Sequence, residues 1–208
     1  MLIEMKGEVI VSFLLKMKVI EFMGMPKAGK TTAIEIVESY LKKKGKKVRV
    51  IYEGARISPL DKRDRFYYNA WSFHNTINRI LESRLDHYDF ILIDRGVYDH
   101  LAFADSVKAF CKENSFLASS VYYELFGSLE DFILVYLLNP KDAIQRERKH
   151  NPFLGRIFSG DFLEVLYASY NSLINQFKDD KRFYVFDGGK TLEDSTLEII
   201  CFLDKTLF

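Results

Sequence analysis

The sequence predicts a three-layer α/β/α fold: a five-stranded parallel sheet with helices on both faces. Three observations predict it. Continuous apolar runs alternate with amphipathic helical stretches, the pattern of βαβ units around a sheet buried on both sides. The run at 18–23 leads straight into Gly24-Met25-Pro26-Lys27-Ala28-Gly29-Lys30-Thr31 and then into a helix pattern. Three of the other runs close on Glu53, Asp94 and Asp187. Polar side chains thus gather at the carboxyl ends of strands, where open α/β sheets bind ligands.

Each element has a local reason. Residues 18–23 (Lys-Val-Ile-Glu-Phe-Met) read as a buried strand. Residues 31–43 place Ile34, Val37 and Leu41 at helical spacing, and Gly45 supplies a C-cap. Residues 47–52 form a second strand. A long helix at 66–86 carries Trp71, Ile77, Ile80, Leu81 and Leu85. Residues 89–94 are a third strand with an acid at its end. Helical patterns follow at about 97–111 and 116–128. The fourth strand, 132–138, is stopped by Asn139-Pro140. A charged helix covers about 141–149 and another about 160–178. The fifth strand, 182–186, ends at Asp187-Gly188-Gly189. Thr191 to Asp194 approximates a capping box, with Asp where Glu or Gln is usual.

The 208 residues show no repeat, low-complexity tract or Pro/Gly linker, so a single domain is expected over 1–208. Residues 1–17 form an N-terminal extension, and a lid is expected at about 141–160. The apolar run at 9–15 is too short to span a bilayer and reads as an extra strand or packing arm. The net charge of +1 argues against a nucleic-acid surface. Cys111 and Cys201 have no metal spacing and are expected to fill the core of a reduced, cytoplasmic protein. The four histidines form no metal pattern.

Residues 24–31 have the form G-x-x-x-x-G-K-T, the P-loop. Its glycines allow successive N–H groups to face one concavity, and the following helix adds its positive end. A chain of this length matches the pattern by chance roughly once in a hundred. A plain turn between strand and helix would not account for Lys and Thr together at the helix start. ATP is therefore expected on Gly24, Met25, Pro26, Lys27, Ala28, Gly29, Lys30, Thr31 and Thr32. Lys30 would reach the β- and γ-phosphates, and Thr31 would ligate Mg²⁺. No Asn-Lys-x-Asp guanine signature is present.

The remaining chemistry follows the strand ends. Asp94 can hold Mg²⁺ beside the phosphates, and Arg95 suits an anionic acceptor or the group in flight. Glu53 can take a proton from a hydroxyl acceptor or bond a sugar hydroxyl, and Arg56 can hold an acceptor phosphate. Arg146 and Arg148, with Arg156 beyond, form a basic cluster that would close over the triphosphate, hinged near Gly155 and Gly160. The competing reading of such a charge run is a solvated helix. The aromatics Phe66, Tyr67, Tyr68, Trp71 and Phe73 open the long helix. Most are expected in the core, with Tyr67 and Trp71 the candidates to stack on a nucleobase. Lys42, Lys43, Lys44, Lys46 and Lys47 read as a solvated helix end.

Assembled, these residues resemble the P-loop nucleoside and nucleotide kinases, thymidylate kinases most closely. The likeness runs from about 18 to 208. It rests on the P-loop, on Asp94-Arg95 with the helix Val97-Tyr98-Asp99-His100-Leu101-Ala102-Phe103, and on the lid followed by Asp161-Phe162-Leu163-Glu164 and Tyr167. The resemblance implies that the Asp-Arg pair serves magnesium and acceptor phosphate, that lid arginines close on the donor, and that Gly188 and Gly189 hold adenine. Related deoxynucleoside kinases use a carboxylate after the second strand as base, which Glu53 would match. Relatives are often dimers, so the resemblance also implies a homodimer. The chain departs from the family at Tyr52 and Phe73, where arginines are usual, and at Gly96, commonly Tyr. The expected activity is phosphoryl transfer from ATP to a nucleoside monophosphate or nucleoside. The alternative is a regulatory or assembly NTPase that hydrolyses ATP with no small-molecule acceptor.

Overall fold

The protein is described here by a computed structural model, which covers residues 17–54, 57–61, 65–112, 119–150 and 159–208. Residues 1–16, Arg56, Gly155 and Arg156 lie outside the described residues, so the expectations placed on them are not taken further.

The strands are β1 (Lys18–Gly24), β2 (Val48–Ile51), β3 (Phe90–Asp94), β4 (Phe132–Leu137) and β5 (Phe183–Asp187). The helices are α1 (Lys30–Lys43), α2 (Arg65–Ser83), α3 (Val97–Cys111), α4 (Ser119–Phe126), α5 (Pro140–His150), α6 (Gly160–Gln176) and α7 (Leu192–Leu207). The five strands form one sheet in the order β2-β3-β1-β4-β5, and every pairing is parallel. The expected α/β/α fold is the one observed.

Burial explains the order. The central strands β1 and β3 are buried along nearly their whole length, as their unbroken apolar sequences require. The edge strands β2 and β5 are only partly covered. The main core sets β1, β4 and one side of β3 against α1, α6 and α7. A second cluster joins Val19, Ile51, Ile91 and Ile93 to Ile80 of α2, and a third packs α2 on α3.

The register aligns the carboxyl ends. Phe22 lies opposite Asp94, Gly24 opposite Tyr136, and Leu137 opposite Asp187. Glu53 follows Ile51, which pairs with Ile93. Three of the strand-end residues singled out from sequence thus share one rim with the P-loop.

Some local expectations change. The long helix stops at Ser83, and its buried stripe runs through Phe73, Ile77 and Ile80. Leu81 is exposed (45%) on the outer face of α2, and Leu85 (79%) lies beyond the helix end. Cys201 is exposed and Cys111 half-buried, so neither fills the core. Cys201 falls on the outer face of α7, whose inner face is Ile199, Phe202 and Leu203. The capping box at α7 is altered as well. Thr191 accepts from the Asp194 N–H, while the shorter Asp194 carboxylate accepts from the Thr191 hydroxyl. No described helix is long and apolar enough to cross a membrane.

Candidate active site

The P-loop turns through three left-handed residues, Gly24 (φ 121°), Lys27 (φ 60°) and Gly29 (φ 93°). At Gly24 no side chain fits, since a β-carbon there would collide with the Tyr136 carbonyl oxygen of β4. Gly29 is the N-cap of α1 and offers no side-chain cap. The first N–H groups of α1 therefore keep the helix's positive end open, as an anion site requires. Other helices in this chain are closed by Ser159 and Thr191.

Lys30 is 6% exposed, and its Nζ donates to the carbonyls of Gly24 (2.9 Å) and Met25 (2.8 Å). Burial, helped by the charge of Arg95, lowers its pKa to about 7. A triphosphate would restore the ammonium, so binding takes up a proton. Binding of a triphosphate at about pH 8.5 should then take up about one proton, read by calorimetry as an enthalpy that varies with the buffer's ionisation heat. Above pH 7 the affinity should fall by up to about tenfold per pH unit. A buffer-independent enthalpy would contradict this.

Behind the loop lies a buried charge cluster. Arg95 sits at φ 67°, a conformation that costs an ordinary residue roughly 1–2 kcal/mol. Its N–H donates to the Phe22 carbonyl (3.1 Å). Its guanidinium meets Asp99 at 2.7 Å and Glu53 at 3.4 Å. Asp99, 1% exposed, also accepts from the Gly24 N–H (2.9 Å) and the Tyr170 hydroxyl (2.8 Å). Burial works against both charges. For Arg95 burial is the largest single effect, but Asp99, Glu53 and Tyr170 together outweigh it and hold the guanidinium well above its ordinary value. Arg95 and Lys30 in turn hold Asp99 below the usual carboxyl range. Asp94, 4% exposed, is raised by burial, with Arg95 and Lys30 opposing.

Two further elements close on the loop. Arg146 of α5 donates to the Lys27 carbonyl (3.0 Å), and Lys27 pairs with Glu147 at 2.7 Å. Gly188 packs so tightly that a β-carbon would stand 2.8 Å from Ala28 Cβ, and its N–H donates to Leu137. Beside it a cleft of about 430 Å³ is lined by Asn139, Asp142, Tyr167, Asp187, Gly189 and Lys190.

The structure thus brings together the P-loop, Glu53, Asp94, Arg95, Arg146 and the 188–189 turn. Arg148 is exposed on α5 and makes no described contact with the loop. Tyr67 is 62% exposed at the start of α2, and Trp71 is half-buried. Phe73 is fully buried, edge-on to His100, Tyr122 and Phe126. Sequence reasoning missed Asp99 as a site residue, along with Tyr170. An acid four residues after Arg95, in the first turn of α3, was the available signal.

Comparison with known proteins follows the same lines. No family model matches the chain. The thymidylate kinase of Thermosipho africanus (strain TCF52B) is 26% identical over 211 residues, covering 90% of this chain and 98% of the relative. That of Thermoanaerobacter sp. (strain X514) is 25% identical, covering 93% and 100%. The chain is thymidylate kinase-like, a P-loop protein of the nucleoside and nucleotide kinase kind. Its fold also matches solved structures of a deoxyadenosine kinase from M. mycoides. With bound dATP the TM-score is 0.67 at 19% identity, covering 89% of this chain and 99% of the other. With products dCMP and dCDP it is 0.67 at 18%, covering 90% and 99%. In this thymidylate kinase-like chain the P-loop and the Asp94-Arg95 turn meet through one buried carboxylate, Asp99.

Proposed function

We propose that the protein transfers the γ-phosphoryl group of ATP to a nucleoside monophosphate or nucleoside. One observation carries the reading: Asp99 bonds the first P-loop N–H and Arg95 at once, joining a donor site to a cation beside Glu53. A guanidinium held beside Glu53 suits an anionic acceptor next to the donor site, which favours transfer over simple hydrolysis. The curated relatives make a nucleoside monophosphate the first acceptor to try.

Donor binding falls to Gly24–Thr32, with the adenine in the cleft beside Gly188 and Gly189. Among the described residues no group of three metal-ligating side chains exists. A hydroxyl at Thr31 and a carboxylate at Asp94 suit Mg²⁺, which binds through one or two protein oxygens plus substrate phosphates rather than a protein cage. Thr31 and Asp94 would hold it. When bound, the ion offsets negative charge on the phosphates. Lys30 and Arg95 act on the same charge, and α5 brings Arg146 over the loop to exclude water. The chain works as one kinase unit with α5 as the described part of its lid. The acceptor enters between Glu53 and the α2 aromatics. Phe73 lies in the core, so no arginine at that position reads the base.

The test is ADP release by a coupled assay over a panel of nucleosides and nucleotides. We expect at least one acceptor to raise release about tenfold or more over the acceptor-free rate. Acceptor-independent release would favour the hydrolase instead. Arg95→Ala should cost about a hundredfold or more with any acceptor. Glu53→Gln divides the acceptor classes. A hydroxyl acceptor needs a base, so the loss should be about a hundredfold; an anionic phosphate does not, so it should be under about tenfold.

A further inference from the structure

Glu21 is a carboxylate in the middle of the buried strand β1, 0% exposed. Glu130, 1% exposed, precedes β4. Neither takes part in the proposed reaction. Both face the first turn of α3. Glu21 accepts from the N–H groups of Gly96 (2.9 Å), Tyr98 (3.1 Å) and Asp99 (2.8 Å). Glu130 accepts from the Val97 N–H (2.9 Å). The four N–H groups that a helix start leaves without partners are thereby all taken by two side chains from other elements.

The same point explains Gly96. A β-carbon there would collide with Glu130 Oε1 and stand 2.8 Å from Glu21 Cδ. The two carboxyls therefore crowd one spot beneath the Asp94-Arg95 turn. Glu130 Oε2 is buried without a donor partner. Two bare carboxylates at that spot would repel, so one proton between them satisfies both. Burial, with Glu130 next, pushes Glu21 well above the usual carboxyl range, and burial raises Glu130 too.

We propose that Glu21 and Glu130 are positioning residues for phosphoryl transfer: as a hydrogen-bonded pair they fix the first turn of α3, and through it Arg95 and Asp99. The lever is short. Arg95 is adjacent to Gly96, and Asp99 uses its N–H on Glu21 and its carboxylate on Gly24 and Arg95. A loosened turn moves the guanidinium and its counter-charge together. The P-loop amides, built on β1 and α1, feel this only through the Gly24–Asp99 bond, so donor binding suffers less than turnover.

The inference rests on the kinase reading, and three variants separate the two. Glu130→Leu removes an acceptor and the shared proton. Glu21→Gln removes the carboxylate that holds three N–H groups. Glu130→Gln keeps an acceptor for Val97 and offers Glu21 an N–H in place of the proton. We expect Glu130→Leu and Glu21→Gln to lower kcat by about 10- to 100-fold, with the MgATP dissociation constant within about threefold. Glu130→Gln should recover kcat to within about fivefold of the parent. A melting temperature that falls while kcat per folded molecule holds would overturn the proposal, since a purely structural cap predicts that. So would Glu130→Gln failing as badly as Glu130→Leu.

Amide exchange across 94–101 is read in parallel and needs no acceptor. Glu21→Gln and Glu130→Leu should speed it by about tenfold or more, and Glu130→Gln should not. Unchanged exchange in all three overturns the pairing. A parent protein that phosphorylates nothing yet shows this exchange pattern overturns the kinase reading and retains the pair's hold on the turn.

Discussion

Replacing Lys30 by alanine should lower kcat for phosphoryl transfer by about three orders of magnitude or more, yet leave the free protein at least as stable. The first half follows from position. The ammonium is buried at the mouth of the P-loop and already desolvated, bonded only to the Gly24 and Met25 carbonyls. Its field on a developing charge is little screened by water, and it needs small rearrangement to turn from those carbonyls to a phosphate. The second half follows from linkage. The folded-state pKa of Lys30 lies at about 7, down from 10.5. Between those values the unfolded chain holds the proton and the folded chain does not. Stability therefore rises with pH across that window in the parent protein. Below pH 7 the buried charge costs on the order of a few kcal/mol, which alanine removes. Urea unfolding at about pH 6.5 and about pH 9, with kcat from the coupled assay, checks both halves. Turnover within about tenfold of the parent would remove Lys30 from the mechanism.

That contrast shows which parts of the site a sequence can reveal. The P-loop is contiguous, and strand, turn and helix are each specified by neighbours a few residues apart, so 18–43 reads off directly. Asp94 and Arg95 are legible because the strand before them is continuous and apolar. Asp99 is harder, since its role depends on Gly24 and Tyr170 from two other elements. Glu21 was passed over in the sequence, although a charge inside an apolar strand must have partners if it is buried. What it bonds could not be read, because Gly96 and Glu130 meet it only once β1 lies between β3 and β4. Nothing in the connection lengths sets that order. Leu81 and Leu85 show the opposite error. Their spacing looked helical and buried, but Leu81 sits away from the α2 face that carries Ile80, and Leu85 lies past the last helical residue, Ser83.

Asp99→Ala should be among the most damaging single changes in the chain, costing about 3–5 kcal/mol of folding free energy and weakening MgATP binding about tenfold. Three groups lose a partner at once. The Gly24 N–H and the Tyr170 hydroxyl proton lose their buried acceptor, and Arg95 is left with Glu53 at 3.4 Å and the Tyr170 oxygen at 3.5 Å. The Gly24 bond is the one that couples this loss to the nucleotide, because it anchors the first turn of the P-loop. Asp99→Asn preserves shape and one acceptor oxygen, so its cost should be smaller, about 1–3 kcal/mol. The acid limb gives an independent reading. Against the opposing effect of burial, chiefly Arg95 holds Asp99 below the ordinary carboxyl value of 3.8. Its contribution is therefore fully present above the unfolded value and is lost as pH falls through the lower folded one. Urea unfolding from about pH 6 down to about pH 3 should show the parent losing stability faster than Asp99→Asn, the two curves converging at the acid end. Parallel curves, or an alanine cost below about 1 kcal/mol, would show that Arg95 and the P-loop are held by something other than this carboxylate.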